Sequence, residues 1–153
     1  MTQHARTVLS DCRGALEELT AGVHDDRWRR RWVATVVLLR TVGHVLDKVD
    51  SKRSPKMKTA IDEAWTELNN GKPNPAIFWH FIEDERNNVV KEYRVGAGYN
   101  TTVYPGANRP ADFEYVVNTG PFKGRLQQQV VAEAIEWWEK YLDAIDLAVA
   151  NAP

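Results

Sequence analysis

The stretch at about 25–49 constrains the fold most, because a helix drawn through it has almost no polar side. Trp28, Trp32, Thr35, Val36, Leu39, Gly43 and Leu46 share its main apolar face, and Val33, Val37, Leu38, Val45 and Val49 spread over most of the remaining circumference. Such a helix must be enclosed by other elements, so it belongs at the centre of a bundle. The exception is a strip of Arg40, His44 and Asp47, spaced so that all three line up on one side of the cylinder. His24, Asp25 and Asp26 offer a cap and an acidic first turn, favourable against the positive end of the helix dipole.

Four more helical patterns surround this one. At about 7–20, Leu9, Cys12, Leu16 and Leu19 repeat at helical spacing, with Gly22 as a stop. Ser54 and Pro55 open a helix whose stripe of Met57, Ile61, Ala64, Trp65 and Leu68 lasts until Gly71. Asn74 and Pro75 repeat that device for a helix at about 75–94. Gly96 and Gly98 then break the pattern, and two runs at about 99–104 and 112–117 alternate like strands around turn residues Pro105, Gly106 and Pro110. The last helix, about 124–150, carries Leu126, Val130, Ala134, Trp138, Tyr141, Leu142 and Ile145. The expected fold is mainly α: one domain over 1–153, a bundle of about five helices with a β-hairpin inserted at about 99–117, before the C-terminal helix.

Composition removes several function classes. A single cysteine, Cys12, excludes an internal disulfide and any zinc site of paired cysteines, and its place on an apolar stripe predicts packing. No apolar run is long enough to span a membrane, and the opening residues lack a signal-peptide pattern, so a cytoplasmic location with no membrane partner is expected. Net charge is −1, which gives no general attraction to nucleic acid. Arg27, Arg29, Arg30 and Arg31 crowd the start of the central helix; a solvated turn with Asp25 and Asp26 as partners accounts for them better than phosphate contact.

In the 75–94 stretch, Phe78, Trp79, Ile82, Val89, Val90 and Tyr93 fall in one arc at about 100° per residue, with Arg86 inside it. Guanidinium keeps its charge in a protein, so a core-facing Arg86 implies a carboxylate (Asp47, Glu63 or Glu83), a ring of carbonyls, a water-filled cleft or an anionic ligand. No serine occupies a Gly-x-Ser-x-Gly turn, and Gly96 and Gly98 follow a helix and precede a strand, the reverse of a dinucleotide turn. His44 with Asp47 and His80 with Glu83 have the three-residue spacing of metal ligands, yet surface pairs explain them as well, and no metal or cofactor is expected.

Arg86 followed by Asn87 on a core helix of a small bundle resembles the HEPN superfamily. Its members are helical bundles that often dimerise and in many cases cut RNA, with a motif of Arg, a polar residue such as Asn, and a His after four to six intervening residues. Here those His positions hold Lys91, Glu92 and Tyr93. The resemblance therefore implies a non-catalytic binding or regulatory protein associated with RNA or a nucleotide, with Arg86, Asn87, Arg40, His44 and Asp47 as ligand-binding residues and no assigned catalytic residue. The rivals are a HEPN-like RNase, a metal-dependent hydrolase and a structural, prophage-type assembly protein.

Six tryptophans and a lone hairpin exceed what one small core readily absorbs, so a homodimer is expected. Tyr99, Val103, Phe113, Tyr115 and Val117 would form its hairpin face, with Trp137 as an anchor. Trp32 and Trp65 are expected in the core, and Trp79 and Trp137 at an interface.

Overall fold

The computed structural model describes residues 1–20 and 25–152; the helix stop expected at Gly22 and the cap expected at His24 lie outside the described residues. Helices α1 (Gln3–Thr20), α2 (Asp25–Lys48) and α3 (Pro55–Asn70) come first, with one 3-10 turn at Asp50–Arg53 between the last two. A π-helical stretch, Ile77–Glu83, runs directly into α4 (Asp84–Glu92). An antiparallel hairpin of β1 (Ala97–Thr102) and β2 (Asp112–Val117) follows, then a 3-10 turn at Gly120–Phe122 and α5 (Gln127–Asn151). The protein is mainly α, with the hairpin placed before the final helix.

Helix α2 touches α1, α3, α4 and α5. Its main face is buried apart from Gly43, which is half-buried; Trp32 and Leu39 are at 0% exposure, as is the adjacent Val42, while Val33, Val37, Leu38 and Val45 are partly covered. The near-absence of a polar side thus places α2 centrally, as its pattern requires. Cys12 is buried in the same core, where desolvation pushes its thiol up to about 12 and keeps it protonated.

Helix α1 begins at Gln3, earlier than expected, because residues distant in sequence satisfy its first turn. The Asp50 carboxylate, fully buried, accepts the backbone N–H groups of His4 (3.1 Å) and Ala5 (2.8 Å). Asp146 of α5 accepts the Thr2 N–H at 2.7 Å. These are the donors a helix start leaves open, here capped from other helices rather than by a neighbour. By contrast α3 starts as its sequence dictates: Ser54 Oγ accepts the Met57 N–H at 3.1 Å and Pro55 occupies the first turn. Asn74 does not repeat this, for the following helix has Ala76 at its cap with no side-chain bond. The Lys72-Pro73 and Asn74-Pro75 peptides are both cis.

The helix expected at about 75–94 is the element that departs most from its reading. Over Ile77–Glu83 the ladder is π-helical, and a π turn holds roughly one residue more than an α turn. Ile77, Phe78, Trp79, Phe81 and Ile82 are all buried there, a wider apolar surface than an α stripe allows. Angles accumulated at 100° per residue no longer apply beyond Glu83. In α4 the buried residues are Glu85 and Val89, whereas Val90 (54%) and Tyr93 (65%) are exposed and Arg86 is half-buried. Tyr93 closes the helix with φ 50, a left-handed residue.

The base of the hairpin docks on the bundle and its tip does not. Tyr99 pairs with Tyr115 and Ala97 with Val117. Tyr115 is buried and stacks on Trp28 at 4.5 Å, and Val117 is buried beside it. Phe113, Tyr99 and Val103, nearer the tip, are 44%, 61% and 67% exposed.

Candidate functional site

Helix α2 and the π–α4 junction bring a chain of polar side chains together. Arg40 Nε donates to Glu83 Oε2. Asn87 Nδ2 donates to the other Glu83 oxygen at 3.1 Å, and Arg86 Nη1 donates to Asn87 Oδ1 at 2.9 Å. Glu83 is the last residue of the π stretch, one turn before Asn87, so the end of the π ladder sets where the chain meets Arg40.

Two guanidinium charges thus face one carboxylate. Partial burial works to raise the Glu83 carboxyl, but Arg40, by charge and hydrogen bond, together with Asn87 and Arg86, outweighs it and holds Glu83 below its ordinary value. His44 lies one turn beyond Arg40 on α2. Burial, then the charges of Arg40 and Arg86, hold its imidazole below its usual value despite Glu83 and Asp47. A neutral imidazole beside two arginines can accept a proton at neutral pH.

Four of the five expected site residues, Arg40, His44, Arg86 and Asn87, therefore gather around Glu83. Asp47 does not join the chain: it is exposed and pairs with Lys48 at 2.6 Å. Arg86 is half-buried rather than core-facing; among the described residues it has no ion pair and its one hydrogen-bond partner is Asn87, so it reaches Glu83 only through that amide. The charge that does enter the core is Glu85, 5% exposed, whose Oε1 accepts Trp32 Nε1 at 2.9 Å and the Gly96 N–H at 2.7 Å. Burial raises its pKa against these bonds. The signal for it was Trp32 itself, since an indole N–H at the centre of a bundle needs an acceptor.

Beside the cluster, α2, α3 and α5 enclose a cleft of about 360 Å³ lined by Arg40, Gly43, His44, Trp65, Trp138 and Tyr141 among others. Trp65 was expected in the core and is instead 42% exposed at this cleft, its edge on Phe78 at 6.1 Å. Trp79, expected at an interface, is buried, its place in the core given by the wider π surface. Trp137, expected at an interface, is half-buried and joins an aromatic cluster with Phe78 and Tyr141 (both 5.0 Å).

No protein-family model, curated protein or solved structure matches the chain. Its own geometry is what bears on function. Among the described residues no group of three His, Cys, Asp or Glu side chains is placed to hold a metal ion, and His80 lies 3.4 Å from Asp84 rather than against Glu83. Among them, too, no helix is long and apolar enough to cross a membrane. At the start of α2, Arg29 pairs with Asp26 at 2.9 Å and Arg31 donates to the Glu18 carbonyl of α1 at 2.8 Å, which gives two of the four arginines there protein partners.

Proposed function

We propose that this protein is a non-catalytic binding or regulatory bundle resembling the HEPN superfamily, which takes an RNA or nucleotide phosphate on the face formed by Arg40, His44, Arg86 and Asn87. The observation that carries the reading is Arg86: half-buried, oriented by Asn87 and, among the described residues, without a carboxylate of its own, it keeps most of its donors for an anion. With Arg40 it outnumbers Glu83, so the face has one positive charge in excess although the whole chain is at −1. The motif positions 91–93 contain no His, which is why the reading is non-catalytic.

Fluorescence anisotropy with a labelled single-stranded RNA tests this. Arg86→Ala should weaken binding about tenfold and lower the dependence of log K on log salt by about one phosphate contact. Binding unchanged by that substitution would reject the site. A second reading has an observation of its own: His44, neutral and electrostatically coupled to Arg86, is a candidate proton acceptor supplied by another helix. RNA cleavage in EDTA that both Arg86→Ala and His44→Ala abolish would replace binding with catalysis.

We propose self-association as well, through a second copy of the hairpin. Tyr99 and Phe113 hold their rings 6.0 Å apart on the exposed end of a two-stranded sheet, and an open antiparallel edge is self-complementary about a two-fold axis. Sedimentation at micromolar concentration should show a dimer, converted to monomer by Tyr99→Ser with Phe113→Ser and unaffected by Trp137→Ala. A monomer at the outset rejects it. A dimer without RNA binding favours the assembly-protein reading.

A further inference from the structure

We propose that the cleft between α2, α3 and α5 is a binding site for a small planar aromatic acid, whose ring lies against Trp65 and whose carboxylate meets the terminal nitrogens of Arg40. At about 360 Å³ the cleft is large enough for a ligand of two fused rings and lies near the lower end of small-molecule sites. Its floor is apolar and aromatic, with Ile61, Leu68, Trp138 and Tyr141 contributed by two different helices.

Three features at its neck point to an anion. The Arg40 side chain is only 13% exposed, and Glu83 engages Nε alone. Among the described residues neither terminal nitrogen has a hydrogen-bond partner, a costly state for a mostly buried guanidinium and one that a carboxylate relieves with two parallel bonds. Next, Gly43 places no side chain between Arg40 Nη1 and the Trp138 ring. A Cβ at Gly43 would lie 2.9 Å from both Arg40 Nη1 and Trp138 Cη2, so any larger residue would push the two apart. Finally, Trp138 lines the cleft at 2% exposure, and among the described residues its Nε1 has no acceptor, which makes it a second buried donor on a cleft residue.

The remaining charges select the kind of anion. Asp47 and Asp62 also line the cleft, each already paired with a lysine, Lys48 at 2.6 Å and Lys58 at 2.7 Å. A single carboxylate on Arg40 meets less repulsion from these two aspartates than a phosphate dianion, which carries twice the charge. Trp65 supplies the other half of the recognition: its exposed ring at the mouth gains an apolar partner when a flat ring covers it. The Tyr141 phenol, pushed up to about 12 by burial, stays a neutral donor.

This site shares Arg40 and His44 with the phosphate face but does not use Arg86 or Asn87, which do not line the cleft, so the two readings fail separately. The experiment is NMR titration of the full chain with indole-3-carboxylate, its neutral carboxamide and AMP, observing the tryptophan indole N–H resonances. Saturable shifts of the Trp138 and Trp65 signals are expected with the carboxylate, at an affinity of about 0.1–1 mM for so small a ligand. The carboxamide should bind at least about tenfold more weakly. Trp65→Ala, at an exposed position, and Gly43→Ala should each remove the shifts, while Arg86→Ala leaves them within about twofold because Arg86 does not line the cleft. Equal binding of the carboxamide, tighter binding of AMP that persists in Arg86→Ala, or titration curves unchanged in Trp65→Ala would overturn the proposal. Loss of RNA binding in Arg86→Ala with retained carboxylate binding would separate this site from the phosphate face.

Discussion

Glu85→Ala should lower the free energy of unfolding by about 3–5 kcal/mol in urea titration, since it strands two buried donors, each costing about 1–3 kcal/mol, and opens a cavity. Trp32 Nε1 and the Gly96 N–H both depend on the one carboxylate oxygen, and no solvent reaches the site to replace it. Gly96→Ala attacks the same contact from the other side. A Cβ there would fall 2.1 Å from Glu85 Oε2 and 2.7 Å from Thr119 Oγ1, so a loss of about 2–4 kcal/mol is expected from overpacking and displaced hydrogen bonds. Glu85→Gln keeps the accepting oxygen and should cost about 1 kcal/mol or less near pH 5. Burial raises the Glu85 pKa in the folded state, so its contribution is fully present below the ordinary carboxylate range and is lost as pH rises through the folded value. Glutamine does not titrate. The stability of Glu85→Gln relative to the parent should therefore improve between pH 5 and 8, and a constant difference would show that Glu85 is ionised throughout.

Asp50→Ala should be the second severe change, at about 2–4 kcal/mol, through loss of a helix cap and two backbone donors left buried. Its carboxylate accepts from His4 N, Ala5 N and His4 Nδ1, the last at 2.9 Å. Amide exchange separates the local from the global part: His4 and Ala5 should lose protection far more than amides of α2. Uniform loss across the bundle would mean that the cap matters no more to α1 than to the rest. His4→Ala removes only the imidazole bond and should cost under about 1 kcal/mol, as befits a half-exposed partner.

The order of elements could be read from the chain because it depends on local devices. The wide apolar surface of α2 required a central helix, Ser54 and Pro55 marked the start of α3, and the alternation of 112–117 marked β2. What could not be read depended on contacts across the fold. The first turn of α1 is capped by Asp50 and Asp146, residues far away in sequence. The side on which α4 buries a charge depends on a change of helical pitch that apolar spacing does not announce, so Glu85 and Arg86 exchanged roles. Trp65 sits in an apolar stripe, but the cleft beside Gly43 and Trp138 leaves its ring uncovered. For the polar cluster, Arg40, His44, Arg86 and Asn87 were identifiable one by one as misfits on helical faces. That they meet at Glu83 was not.

The π stretch has a consequence for descent. It amounts to one residue inserted between an aromatic segment that packs on α5 and a polar segment that meets α2. Deleting a single residue from Ile77–Glu83 would restore a regular ladder and swing Asn87 and Arg86 by about 100° about the helix axis relative to Phe78. Arg40 would then face a different side chain, and Trp32 would lose its carboxylate. Lineages that share this bundle should therefore tolerate changes of residue type in this segment more readily than changes of its length.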